Sequence, residues 1–283
     1  MIGRFILSGC LLAGLSVGAA SVRADGIAGE TGAPQAKSDG LVVTLGGWGL
    51  VEPNFEGAGR YSFAPRPILD IRGVNDKDWL SLPKDGFGLD LYETGNFHMG
   101  LVGNWRWAFG VHDQRGFKHI GSVDVSVEAG GFAEYWPADW LRTRVELRRA
   151  FLGADGSIAD VSSDLVWRPD RAWTFTAGPR LSFADKEFMN AYYGVTPQQS
   201  TASGLRQFDA SAGLRAYGAG TFAKYKWSEQ VSTMGFIEYE RLSGETLESP
   251  LLTSTPGVRH NGSADQFTFG LGLSYSFVLG GFK

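Results

Sequence analysis

Cysteine is nearly absent: Cys10 is the only one in 283 residues, and it lies inside an N-terminal apolar stretch. Once that stretch is removed the mature protein carries no thiol, which excludes disulfides, thiolate catalysis and cysteine metal sites. Basic clusters are lacking as well. Loss of Arg4 and Arg23 with the leader takes the formal charge from −4 to −6, and a mildly acidic chain without a basic patch is a poor nucleic-acid binder. Long hydrophobic runs are missing after residue 24, where nothing approaches the ~18 continuous apolar residues of a membrane helix. A mature chain of this kind that enters a membrane must cross it as a barrel. Runs of helix formers are scarce, whereas 40 Gly and 37 aromatic residues favour one large β domain.

The N-terminus has a charged start at Arg4, an apolar stretch over 5–20, and Val22 and Ala24 as small residues before Asp25. This is the pattern of a secretory signal peptide, assigned to 1–24, with cleavage after Ala20 as the alternative to Ala24. Leu7, Ser8, Gly9 and Cys10 resemble a lipoprotein box, but the apolar region continues past the cysteine and leaves too little core before it. Residues 25–40 are rich in Gly, Ala, Pro and Thr without periodicity, and read as a disordered periplasmic leader.

From 41 to 283 one pattern repeats. In the last segment Phe267, Phe269, Leu271, Leu273, Tyr275 and Phe277 share one face, while Thr268, Gly270, Gly272, Ser274 and Ser276 share the other. That is period 2, the signature of a strand with two unlike faces. The same alternation sets Met99 and Leu101 against His98, Asn104 and Arg106, and Leu181 and Phe183 against Arg180 and Ser182. Strands are expected at 41–51, 60–72, 77–82, 86–94, 97–107, 121–136, 139–151, 157–168, 172–184, 207–228, 230–242 and 264–277. The count is twelve, or ten if 77–94 forms one loop. Short turns fall at one end and the longer loops 52–59, 108–120, 185–206 and 243–263 at the other.

A soluble β-sandwich would also alternate. Aromatics at the ends of the apolar faces (Trp105 and Trp107, Tyr135 and Trp136, Trp167, Tyr225 and Trp227) and charged or glycine-rich polar faces favour lipid outside. The expected fold is an all-β, transmembrane, antiparallel up-and-down β-barrel in the outer membrane of a Gram-negative bacterium, with outer-membrane lipid as its first partner.

No catalytic, cofactor or metal site is expected. His98, His112, His119 and His260 are dispersed, without the spacing of a zinc motif. His98 or His260 beside a rim serine would be the lipase alternative, unsupported by any visible nucleophile and oxyanion donor. Gly270 and Gly272 superficially resemble a phosphate loop, but inside a strand they read as small residues that pack a lumen.

The informative charges lie on neighbouring strands. Arg142, Arg144, Glu146 and Arg148 alternate on one polar face, flanked by Asp124, Glu128 and Glu134 on one side and by Asp160 and Asp164 on the other. Antiparallel pairing around 137–139 brings Glu134 near Arg142 and Glu128 near Arg148. The row reads as a ladder of opposite charges bracing a small lumen, in preference to an anion-binding surface in a pore. Loop 185–206 is the second candidate: Phe188, Tyr192 and Tyr193 beside Pro197 and Gln198 suit either a contact surface or a plug folded into the lumen.

Several landmarks carry a family resemblance. Tyr192, Tyr193, Gly194, Val195, Thr196 and Pro197, followed by Ser203, Gly204 and Leu205, are similar to a loop of the MltA-interacting protein (MipA)/OmpV family. Arg241, Leu242, Ser243 and Gly244 with Glu248, Ser249 and Pro250 resemble a second element of that family. Asn54 to Gly57, Pro65 to Ile68, and the strand ending at Phe277 match its first loop, second strand and last strand. Glu245 and Glu248 stand where aspartate is more usual, and 278–283 runs past the usual terminal aromatic. The resemblance implies a non-enzymatic scaffold joining a murein transglycosylase to a murein synthase in envelope maintenance, and supplies no catalytic residue. A narrow channel for small or anionic solutes and a surface adhesin acting through 185–206 and 243–263 are the alternatives.

Overall fold

The computed structural model describes residues 40–73, 80–106, 109–110, 122–123, 125–252 and 262–280. The expected signal peptide at 1–24 and all of the expected leader at 25–40 except Gly40, which opens the first strand, lie outside the described residues. Among the described residues thirteen strands form: β1 (Gly40–Pro53), β2 (Tyr61–Gly73), β3 (Phe87–Thr94), β4 (Phe97–Arg106), the two-residue β5 (Phe109–Gly110) and β6 (Ser122–Val123), β7 (Ser126–Ala138), β8 (Leu141–Leu152), β9 (Ser157–Trp167), β10 (Trp173–Ala184), β11 (Gly213–Lys226), β12 (Val231–Leu242) and β13 (Asp265–Gly280). Eleven of them make one antiparallel sheet in the order β2-β1-β13-β12-β11-β10-β9-β8-β7-β4-β3, and β5 and β6 pair separately. The sheet curls into an all-β barrel of the outer-membrane kind. Its curl brings Glu56, in the β1–β2 loop, against Arg106 of β4 and Arg215 of β11.

The strand count departs from the expected twelve for a topological reason. Each antiparallel neighbour reverses direction, so an eleven-strand order leaves its two end strands, β2 and β3, running the same way. The connection between them must travel back along the barrel. Part of the expected strand at 77–82 lies outside the described residues, and Leu80 and Leu82 are not in a strand. The segment 80–86 instead enters the interior as a strap. Leu82 packs with Leu50, Phe222, Met234 and Phe236. Asp85 meets Arg142 at 2.6 Å, Lys84 meets Glu238 at 2.9 Å, and the Gly86 amide donates to Glu146 at 3.2 Å.

Alternation sorts the side chains by face. Outward residues are apolar and uncovered by protein: Leu271 is 74% exposed, Leu147 60% and Phe151 66%. A continuous apolar surface of this extent suits hydrocarbon and not water. Aromatic pairs mark the short-turn end, with Trp173 stacked 5.0 Å from Phe175 and Tyr225 4.7 Å from Trp227. Trp136 departs from its expected place in that belt, since it is buried and its indole Nε1 donates to Glu134 at 2.7 Å.

The long-loop end is capped. Asp185 accepts from the Phe188 amide and starts α1 (Lys186–Tyr193); Thr196 and Gln199 form a capping box that starts α2 (Pro197–Ser203). Phe188, Met189, Tyr192 and Tyr193 turn one face of α1 into a cluster with Phe55, Leu205, Phe208, Leu242 and Leu251. The β8–β9 turn approaches α1 so closely that a Cβ at Gly156 would lie 2.2 Å from the Phe188 amide nitrogen, at a φ of +114°. Only glycine fits there.

Candidate functional site

Antiparallel pairing of β7 and β8 aligns Glu134 with Arg144 and Gly130 with Arg148, with irregular register at both ends of the hairpin. The carboxylate of Glu134 spans two rungs, accepting from Arg142 at 2.7 Å and Arg144 at 3.0 Å. Glu128 reaches Arg148 at 3.0 Å. These contacts belong to something larger than a ladder.

From Arg142 the ion pairs pass to Asp164 (3.2 Å), Arg180 (2.6 Å), Glu238 (4.0 Å), Lys84 (2.9 Å) and Glu240 (3.7 Å). They continue through Arg215 (3.2 Å), Glu56 (2.9 Å), Arg106 (2.9 Å) and Glu128 (2.5 Å). Arg148, Glu146 and Arg144 then lead back to Glu134. The result is a closed ring in which seven carboxylates alternate with seven cations. Asp85 on Arg142 and Asp160 on Arg148 (2.5 Å) are spurs from it.

Alternation is what makes so many buried charges tolerable. A single charge taken from water costs several kcal/mol even after relaxation, and recovers this only against close, hydrogen-bonded partners. Every ring member sits between two opposite charges. Arg144 also lies 3.9 Å over the Phe132 ring, which adds a cation–π contact.

Glu56 links the ring to the cap. Its carboxylate accepts from Arg106, Arg215 and the Tyr193 hydroxyl. Burial pushes the Glu56 carboxyl up, but Arg215 and Arg106 outweigh it and hold the group below the usual carboxylate range. Burial and then the Glu56 carboxylate push the Tyr193 phenol well above its ordinary value. Ser249 fixes the same helix end by donating to the Tyr193 carbonyl at 2.7 Å. The landmarks at 54–57, 192–205 and 241–250, far apart in sequence, thus converge on one cap.

Between cap and ring lies a cavity of about 250 Å3. Charged side chains, Asn54, Asn104, Gln266 and Thr268 line it, with Trp105 and with Phe55 and Tyr192 of the cap cluster.

Of the residues singled out in the sequence, Glu128, Glu134, Arg142, Arg144, Arg148 and Asp164 lie in the ring and Asp160 on a spur; Asp124 lies outside the described residues. Glu146, which shares the face of the arginine row, and Glu56, Lys84, Arg106, Arg180, Arg215, Glu238 and Glu240 complete the ring and are not among the expected site residues. Phe188, Tyr192 and Tyr193 are buried in the cap, whereas Pro197 and Gln198 are exposed on α2. The aromatic part of the loop therefore packs inside the cap, and Pro197 and Gln198 stay on its surface.

His98 is held between Asp90 (2.8 Å) and Glu134 (3.1 Å). His112, His119 and His260 lie outside the described residues. Among the described residues no group of His, Cys, Asp and Glu could hold a metal ion. A Cβ at Gly270 would lie 2.2 Å from the Phe236 ring and one at Gly272 2.7 Å from Trp48, so both glycines make room for lumen aromatics.

Solved barrels overlay only in part. An outer-membrane channel from Pseudomonas putida F1 is 10% identical, with 87% of this chain and 100% of that one covered at a TM-score of 0.40. Among curated relatives, a protein called MltA-interacting protein from Escherichia coli K12 is 25% identical over 243 residues, 80% of this chain and 90% of that protein. A putative outer membrane protein, YiaT, of the same strain is 30% identical over 95 residues, 34% of this chain and 35% of that protein. The family profile described as MltA-interacting protein MipA matches residues 45–277, which spans the barrel from β1 to β13. The chain belongs to the MltA-interacting protein family of outer-membrane proteins.

Proposed function

We propose that this protein is a non-enzymatic outer-membrane scaffold of the Gram-negative envelope, which docks a murein transglycosylase of the MltA kind together with a murein synthase. The observation that carries this reading is the filled interior. Ring, strap and cap occupy the lumen and leave a cavity of about 250 Å3, so the molecule offers surfaces for binding in place of a passage. The E. coli relative named for its interaction with MltA aligns over 80% of this chain, which supports a partner of that class.

The alternatives fit the geometry less well. Arg142, Arg144 and Arg148 each touch carboxylates, so the row presents no free cationic surface to an anionic solute. An adhesin would have to act through Pro197, Gln198 and their polar neighbours, because the aromatic anchors of that loop are buried. With the long loops outside the cell, periplasmic enzymes would meet the short-turn end and the leader at 25–40.

Photocrosslinkers placed in the short turns at Asp139 and Asp170 test the reading in intact envelopes. Capture of murein hydrolases or synthases is expected. No capture of either class, together with steady ion conduction by the purified protein, would replace the scaffold with a channel.

A further inference from the structure

The cavity between cap and ring has walls of an unusual kind. Ten of the fourteen ring members line it, and opposite charges alternate around it. Arg66 also lines it; one of its terminal nitrogens meets Glu52 at 2.8 Å, but its buried Nε has no hydrogen-bond partner. Asn54, Asn104, Gln266 and Thr268 add neutral donors and acceptors.

Charge balance decides which solute such a space accepts. The charged side chains that line the cavity are balanced, seven basic and seven acidic, so a solute with one net charge would bring that charge among already paired groups without a counterion. A neutral apolar solute would leave the wall groups desolvated and unpaired. A molecule with one cationic and one anionic group can lie across neighbouring ring members and meet an opposite charge at each end. Its net charge is zero, so the balance of the ring is unchanged. Size narrows the class further: about 250 Å3 lies below the ~300–1,000 Å3 of pockets for drug-sized ligands and excludes a glycan strand.

We propose that this cavity is a binding site for a small zwitterion of amino-acid size, its carboxylate held toward Arg66 and Arg180 and its ammonium toward Glu238 and Glu240. The site is independent of enzyme docking, which uses the outside of the protein.

The test uses the full mature chain in detergent micelles at pH 6.5, with calorimetry and saturation-transfer NMR. The probes are L-alanine, its N-acetyl derivative (anion only) and its amide (cation only). L-alanine is expected to bind at least tenfold more tightly than either blocked form. Thr268→Phe and Asn104→Phe each fill the cavity without changing any charge. In whichever of the two keeps the heat-modifiable gel mobility of a folded barrel, affinity for L-alanine should fall at least tenfold. Equal binding of all three probes, binding by none of them, or unchanged affinity in a folded cavity-filled variant would overturn the proposal.

Discussion

Arg142 is fully buried and bonded to Glu134, Asp164 and Asp85, so its removal leaves three carboxylates short of a partner. Breaking a buried ion pair from one side costs about 3–5 kcal/mol. Arg142→Met is therefore expected to lose stability on that scale in urea unfolding of the liposome-refolded protein. Arg149, one residue from the inward-facing Arg148, points outward and has only a long contact to Ser157 at 3.4 Å; Arg149→Met should not lower stability. Equal losses in the two variants would mean that the ring does not brace the fold. Glu56 adds a pH dependence. Its carboxyl is held below the usual range, so its contribution is fully present above its unfolded pKa of about 4.3 and is lost as pH falls through the lower folded value. The raised Tyr193 phenol acts at the other limit: its contribution is present below about pH 10 and is lost as pH rises through the folded value. The cap should thus hold from roughly pH 5 to pH 9 and loosen in stronger acid. Pulsed hydrogen exchange of the α1 amides would show this as a rise in exchange below about pH 4, a step that Glu56→Gln should abolish while loosening the cap at every pH. A cap equally protected at pH 3 and pH 7 would contradict it.

Among the elements, β13 gives the cleanest test of which face meets lipid. Leu271 is 74% exposed at the middle of the strand, and an arginine on the lipid face near the midplane costs about 2–4 kcal/mol. Leu271→Arg should impair refolding into liposomes, read by heat-modifiable gel mobility; refolding as stable as the parent's would deny a lipid-facing β13. The faces of such strands were legible because period 2 is a local signal, and Arg142, Arg144, Glu146 and Arg148 fell on one face by that rule alone. The hairpin then fixed which carboxylates they meet. The rest of the ring was less legible. Arg106 lies on the polar face of its strand, but its partnership with Glu56 depends on the curl of the sheet and not on neighbouring positions; Arg180 meets Asp164 across the adjacent β9–β10 pair, diagonal to its register partner Ser162, and only its link to Glu238 reaches past a neighbouring strand. The strap misled for a different reason: Leu80 and Leu82 alternate with Ser81 as a strand would, and only the direction of β2 relative to β3 shows that this segment crosses the interior. The helices of the cap were missed because the signals that start them, Asp185 and the Thr196–Gln199 box, are turn residues too.

For the whole molecule, one sheet does two jobs. Its outer face is apolar and rimmed with aromatics, and its inner face holds a charge ring closed by groups from a loop, a strap and nearly every strand from β4 to β12. Among the described residues the main sheet has eleven strands, so β2 and β3 run the same way, and the segment 80–86 ahead of β3 lies in the lumen. Two hydrophobic clusters lie on either side of the ring, one at the cap around Phe188 and Tyr193, the other around Leu82, Phe222 and Phe236. The central claim, a barrel with a filled lumen that serves as a scaffold and not a pore, is tested most directly by conductance of the purified mature protein in planar lipid bilayers. The account predicts insertion without a steady open-channel current, and a current appearing once strap and cap contacts are cut together in Asp85→Ala/Glu56→Ala. A steady current through the unaltered protein would contradict it.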